Sequence, residues 1–225
     1  KMLQHVEIIY AQSEEDKNRF LALGAKNIEV VGNIKLAGKI TQTKEYIKPE
    51  CEVIVAGSTH DTEEEPVLKA FVEYRKQVKA KLIMVPRHPE RFDGVYELMK
   101  QYASIHKLFL SRFSENENFE ADMILVDAMG ELNNMYAISD IAIVGGAFKE
   151  KVGGHNPLEP AHFGCKIITG KHFHDQRELY KYVHHVQYVE SDEIHKALMA
   201  SRDLPPSMVE ETINLETVIN KIKES

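Results

Sequence analysis

Four short clusters hold the side chains best suited to chemistry in this chain. Gly57-Ser58-Thr59-His60 joins a flexible backbone to a hydroxyl and an imidazole. Pro86-Arg87-His88-Pro89 sets a guanidinium, a planar fork of donors that matches phosphate, between two prolines. Asp127-Ala128-Met129-Gly130-Glu131 leads into a helical pattern, whose first free N–H groups and positive dipole end make an anion site. The fourth cluster lies in GGAFKEKVGGHNPLEPAHFG, residues 145–164. There Gly145-Gly146 and Gly153-Gly154 read as points where backbone approaches a ligand closely. Asn156 is placed to cap a helix opened by Pro157. Glu159, one turn in, is placed to accept both hydroxyls of a ribose. Singly, each residue also has an ordinary reading: Arg87 in a surface ion pair, Met129–Leu132 as a bare helix start, Asn156 as a cap, and Glu159 as a favourable charge at a helix N-terminus. His172 and His174 read as solvated loop histidines rather than metal ligands.

The elements that carry these clusters follow from periodicity. Apolar runs that predict strands lie at 6–11, 28–32, 51–58, 81–86, 106–111, 123–127, 140–146, 166–170 and 186–190. Amphipathic stretches that predict helices lie at 62–79, 89–103, 130–139 and 175–183, with two more at 191–201 and about 206–223, split by Pro205-Pro206. A further helix starts at Ser13, whose cap is completed by Asp16 and whose end is marked by Gly24. Pro66 fits only the first turn of its helix, so that helix starts after Thr62. Continuous apolar strands alternating with helices predict a parallel sheet covered on both faces, a single doubly wound, Rossmann-like α/β domain over residues 1–225. In such sheets ligands bind beyond the carboxyl ends of the strands. All four clusters directly follow predicted strands, so they are expected at one edge.

Composition narrows the function class. At 43% hydrophobic and 28% charged residues the chain can bury an ordinary core. A formal net charge of −7 gives no bulk attraction to nucleic acid, and no nucleic-acid partner is expected. Cys51 and Cys165 form no CxxC pair, which argues against a structural zinc site and fits a reducing compartment. No run of 18 apolar residues predicts a membrane span, and no signal peptide is read. The chain opens on Lys1 and enters a strand almost at once, which reads as a piece of a longer protein.

Taken in order, GSTH (57–60), PRHPERF (86–92), MGEL (129–132) and GGHNPLEPA (153–161) resemble the donor-binding half of the 3-deoxy-D-manno-octulosonic acid (Kdo) transferase family. GNIKLAG (32–38) is similar to that family's GNLKFD segment, and the resemblance covers about residues 5–185. It departs at Leu36-Ala37-Gly38, where the family has Phe-Asp, and at Ala147-Phe148, where a small polar residue is common.

The resemblance implies one half of a GT-B glycosyltransferase, the C-terminal half that binds CMP-Kdo. The family moves Kdo onto lipid A precursor, inverts the anomeric centre and needs no metal or other cofactor. By the same resemblance, Pro86 and Arg87 would hold the CMP phosphate and its surroundings. Met129, Gly130 and Glu131 would meet the nucleotide through backbone, with Ser58, Leu132 and Gly146 also at the donor site. Asn156, Pro157, Leu158 and Glu159 would line ribose and cytidine. Lys35 would stabilise charge on the leaving phosphate. The general base, the acceptor site and the attachment to the cytoplasmic face of the bacterial inner membrane would belong to an N-terminal domain absent from this chain, leaving a soluble donor-binding piece that is inactive alone. Two other classes fit the pattern less well: a GT-B-like UDP-sugar 2-epimerase, and a non-enzymatic α/β binding module.

Overall fold

The computed structural model of the chain describes residues 2–32 and 40–210. Its contacts divide into two compact units, residues 1–39 with 210–225, and residues 40–209. In the first, a 3-10 helix at Met2–His5 precedes β1 (Ile9–Ala11), α1 (Glu14–Ala22) and β2 (Ile28–Val30), with the two strands paired in parallel. The strand expected over 6–11 is therefore shorter. The Ser13 hydroxyl oxygen accepts from the Asp16 N–H at 3.1 Å and its O–H donates to the Asp16 carboxylate at 3.0 Å, as the capping pattern predicts.

The larger unit is built on β3 (Glu52–Thr59), α2 (Glu64–Arg75), β4 (Ala80–Pro86), α3 (Phe92–His106), β5 (Leu110–Arg112), β6 (Met123–Leu125), α4 (Leu132–Ala137) and β7 (Ile141–Val144). It continues through α5 (Leu158–His162), β8 (Lys166–Thr169), α6 (Arg177–Tyr180), β9 (Val183–His184), β10 (Val186–Tyr188), α7 (Ile194–Ser201) and β11 (Met208–Val209). Seven strands form one sheet in the order β10-β8-β7-β3-β4-β6-β5, and every pairing is parallel. Alternate residues of each strand enter opposite layers. Ile54, Ala56, Leu82 and Met84 pack against Leu68, Phe71 and Met99 of the helices on one face. Val53, Val55, Ile83 and Val85 pack against Met135 and Tyr136 on the other. Because both faces are covered, β3 needs an apolar side chain at every central position, and Val53–Ala56 have no exposure.

The doubly wound fold read from the pattern is present, and its topology locates the site. From β3 the chain adds β4, skips a position to β5 at the edge, inserts β6 between β4 and β5, then crosses back to add β7, β8 and β10 on the other side. The strand order thus reverses between β3 and β7, which opens a crevice beyond their carboxyl ends.

Two readings shift with the structure and a third holds. The strand expected at 106–111 begins only at Leu110, because α3 runs on to His106 and is closed by Lys107 in the left-handed region (φ 55°) with Leu108 N–H bonded to the Ala103 carbonyl. The helix expected from about 206 does not start there. Met208 and Val209 pair antiparallel with β9, and residues 211–225 lie outside the described residues. Pro66 is the third residue of α2, in its first turn as its missing N–H requires.

Gly170, which ends β8, lies against the backbone of Ala147, and a Cβ there would collide with that residue's carbonyl oxygen. Gly94, inside α3, has no atom within 4 Å of the equivalent position. Gly170→Ala should therefore cost at least about 1–3 kcal/mol, lowering Tm by roughly 2–4 °C per kcal/mol. Gly94→Ala should raise stability by about 0.5–1 kcal/mol. Differential scanning calorimetry of the two variants checks both signs.

Candidate functional site

The crevice edge is built first by strand ends. Between Gly57 and Thr59 the β3–β4 register shifts, leaving Ser58 as an extra residue with φ 54°. Such bulges re-aim a strand end and concentrate beside functional sites. The Thr59 carbonyl then accepts from Arg87 N–H at 3.0 Å, which fixes the turn after β4. Arg87 is exposed, and among the described residues no carboxylate forms an ion pair with it. Its positive charge is nevertheless felt by Glu159 and by the imidazoles of His60 and His155.

A buried carboxylate absent from the expected site residues organises the opposite wall. Glu63, 3% exposed, accepts from Gly146 N–H at 2.9 Å, from Phe148 N–H at 3.3 Å and from His60 N–H at 2.9 Å. Burial raises its pKa; the backbone donors oppose that shift without cancelling it. Glu64, 2% exposed on its side chain, meets Arg91 at 2.6 and 3.0 Å. Of the three glutamates 63–65, only Glu65 is exposed.

This arrangement gives the glycines a packing role. A Cβ on Gly145 would meet the Ser58 carbonyl oxygen at 2.6 Å and Glu63 at 2.8 Å. On Gly146 (φ 76°) it would meet the His155 ring at 2.7 Å, on Gly153 (φ 84°) Asp175 at 2.6 Å, and on Gly154 (φ 87°) Phe173 at 2.9 Å. A side chain at any of these glycines would run into other parts of the protein. Gly130 (φ 85°) differs: nothing lies within 4 Å of its missing side chain, and Met129 beside it is 62% exposed.

The other expected residues fall around the same crevice. Leu132 and Tyr136 pack over Gly57, which holds the start of α4 against β3. The Glu131 carboxylate accepts from the Tyr46 hydroxyl at 3.1 Å and the Asn134 amide at 2.8 Å, leaving backbone as the natural ligand contact at 129–131. The Asn156 side-chain oxygen accepts from Leu158 N–H at 3.0 Å, the expected capping role, and its amide donates to Glu159 at 3.1 Å. Burial raises the Glu159 pKa, while Asn156 and Arg87 oppose that shift. Pro86, Gly146, Pro157 and Leu158 are buried and shape the backbone. Lys35 lies outside the described residues.

Three histidines missed as site residues complete the crevice. His60 Nε2 and His155 Nε2 are 2.7 Å apart, with their rings within 9° of parallel, and His88 stands edge-on to His60 at 5.3 Å between centroids. Burial and neighbouring charge lower both pKa values, that of His155 to about 4. A histidine whose folded pKa is depressed favours unfolding as pH falls from its ordinary value near 6.5 toward the folded value. No grouping suited to a metal ion occurs among the described residues. The edge therefore offers a free guanidinium for a phosphate, a carboxylate for a diol, and an exposed thioether beside an open glycine for a flat ring.

The chain is similar to known proteins. A family model described as 3-Deoxy-D-manno-octulosonic-acid transferase (kdotransferase) matches residues 1–37. The 3-deoxy-D-manno-octulosonic acid transferase of Haemophilus influenzae is 39% identical over 201 residues, covering 84% of this chain and 46% of that protein. Its namesake from Aquifex aeolicus is 39% identical over 178 residues, covering 79% and 47%. The chain thus spans about half the length of these curated relatives. The solved C-terminal CMP-Kdo binding domain of WaaA from Acinetobacter baumannii superposes with a TM-score of 0.59 at 29% identity, over 68% of this chain and 81% of that domain. The Anabaena protein HepE, solved with UDP and glucose, shares the fold at 13% identity and a TM-score of 0.50, over 88% and 54% of the two chains.

Two arginines four residues apart should separate by their neighbours. Arg91→Ala would strand a buried carboxylate and should cost about 3–5 kcal/mol. Arg87→Ala removes an unpaired surface charge and should change stability by no more than about 0.5 kcal/mol. Urea unfolding of both variants is the measurement.

Proposed function

Because the chain belongs to the Kdo transferase family, we propose that it is the donor-binding part of an inverting GT-B glycosyltransferase that moves Kdo from CMP-Kdo onto a lipid A precursor. The observation that carries this reading is the free guanidinium of Arg87 beside the half-buried carboxylate of Glu159 at the strand-order reversal. In the proposed complex Arg87 holds the phosphate of CMP-Kdo and Glu159 accepts from the ribose hydroxyls. The backbone at Met129–Gly130 meets the cytosine. Asn156 holds Glu159 in place, and the buried Pro157 and Leu158 fix the helix start that carries both. Binding needs no metal.

In this reading residues 40–209 are the donor-binding domain. Residues 1–37, which the family model matches, are assigned in this reading to the acceptor side. The general base and the lipid-facing surface lie in sequence beyond this chain, and the intact enzyme works at the cytoplasmic face of the inner membrane. Among the described residues no helix is long and apolar enough to cross a membrane. Lys35 supplies positive charge where the leaving phosphate develops negative charge.

Calorimetric titration tests the donor site. CMP should bind and UMP should bind more weakly. Arg87→Ala should lose a charge-assisted contact, about 1.5–3 kcal/mol or roughly 10- to 150-fold in Kd. Glu159→Ala should erase the preference for CMP over 2′-deoxy-CMP. Unchanged CMP affinity in both variants would overturn the assignment. For Lys35, the intact two-domain enzyme is the object to assay. Lys35→Ala should lower kcat and kcat/KM together by about tenfold or more, the kinetic mark of a contact made in the transition state. A rate within about twofold of wild type removes it from the mechanism.

A further inference from the structure

The histidine pair has chemistry that phosphate binding by Arg87 alone does not use. Its two Nε2 atoms, 2.7 Å apart, share one hydrogen, so one ring donates and the other accepts. A metal ion does not explain the pair: two imidazole nitrogens each about 2.0–2.1 Å from a tetrahedral zinc stand more than 3 Å apart. Nor is the pair loose surface. His155 rests on Gly146, where a Cβ would collide with its ring, and Gly146 is itself pinned by Glu63. His60 follows the β3 bulge, and its own N–H is held by Glu63. The same buried carboxylate therefore sets both rings at the crevice between β3 and β7.

The charged and titratable groups facing the pair are mainly cationic or neutral. Arg87 and His88 face it from the turn after β4, Arg91 from the next turn, and Glu64 from α2, already paired with Arg91. Glu63 contacts the His60 backbone rather than its ring. With the crevice empty, an added proton would place a second cation beside Arg87 in a partly buried site. The proton would enter at Nδ1 of the ring that donates, leaving the Nε2–H···Nε2 bond in place. A bound phosphate removes the electrostatic objection, because its negative charge offsets that of Arg87.

Resting on the donor-site reading above, we propose that the His60–His155 pair is the proton-accepting half of the phosphate subsite, taking up a proton as the nucleotide's phosphate settles against Arg87. The pair is neutral and internally hydrogen-bonded without ligand. It becomes a second cation only in the complex, which makes it a positioning and charge-matching element for the phosphate. The lowered proton affinity of both empty rings fits this reading.

The test is calorimetric titration of the whole chain with CMP at pH 7 in two buffers of unlike protonation enthalpy, which counts protons exchanged on binding. The phosphate of CMP, with a second pKa of about 6, can only release protons when it meets cations. Net uptake is therefore the protein's own. Wild type should show uptake, His155→Gln and His60→Gln should each lose it, and His88→Gln should keep it. CMP binding without uptake overturns the proposal, as does uptake that survives both pair variants or vanishes with His88→Gln. Absence of CMP binding overturns the donor-site reading, and this proposal with it. Ring-nitrogen NMR of the unmutated chain gives an answer independent of variant folding. Saturating CMP should shift the titration of one member of the pair upward, and an unmoved titration overturns the proposal.

Discussion

The carboxylate of Glu63 joins the two strands between which the sheet reverses. Its oxygens accept backbone N–H groups from His60, after β3, and from Gly146 and Phe148, after β7. A carboxylate that is 3% exposed persists only with such compensation, since an unpaired buried charge costs several kcal/mol. The interaction has no apolar substitute, because it satisfies main-chain donors that secondary structure leaves unmade where the strands end. The crevice, its bulge at Ser58 and the seating of His60 and His155 all depend on it.

Around that latch the protein packs backbone on backbone. Gly145 lies under the Ser58 carbonyl, Gly154 against Phe173 and Gly170 against Ala147. The loop from 145 to 155 is held from three sides, by Glu63, by the residues after β8 and by its own hydrogen bond from Gly154 N–H to the Gly146 carbonyl at 2.8 Å. A loop so constrained presents His155 and Asn156 in one arrangement, which preorganises the groups nearest the ligand edge. Gly130, by contrast, retains open space where a side chain would be.

The charge pattern of the edge follows from which groups are already engaged. Arg91 is consumed by buried Glu64, and Glu131 by Tyr46 and Asn134. Among the described residues Arg87 has no such partner, and Glu159 keeps capacity beyond its bond from Asn156. Among the described residues of this edge, Arg87 and Glu159 thus keep capacity for further charge pairing and hydrogen bonding.

The fold class was readable from the chain because its cause is local: buried parallel strands need unbroken apolar runs, and VIVA at 53–56 or LIMV at 82–85 satisfies nothing else so well. The same holds for the Ser13 cap, for Pro66 in a first turn and for Asn156 before Leu158, where the partners lie within three residues. The motif order likewise led to the family without the coordinates. Tertiary structure alone decided which of two arginines in PRHPERF is free and which of three glutamates are buried. It also decided that the glycine pairs yield to neighbouring protein, and that His60 and His155, 95 residues apart, share a hydrogen. Each of those outcomes depends on what a distant segment places beside the residue. Residue type and spacing specify a side chain's capacity for charge and hydrogen bonding, but burial and partners arise only when the sheet assembles and brings β3, β4 and β7 side by side.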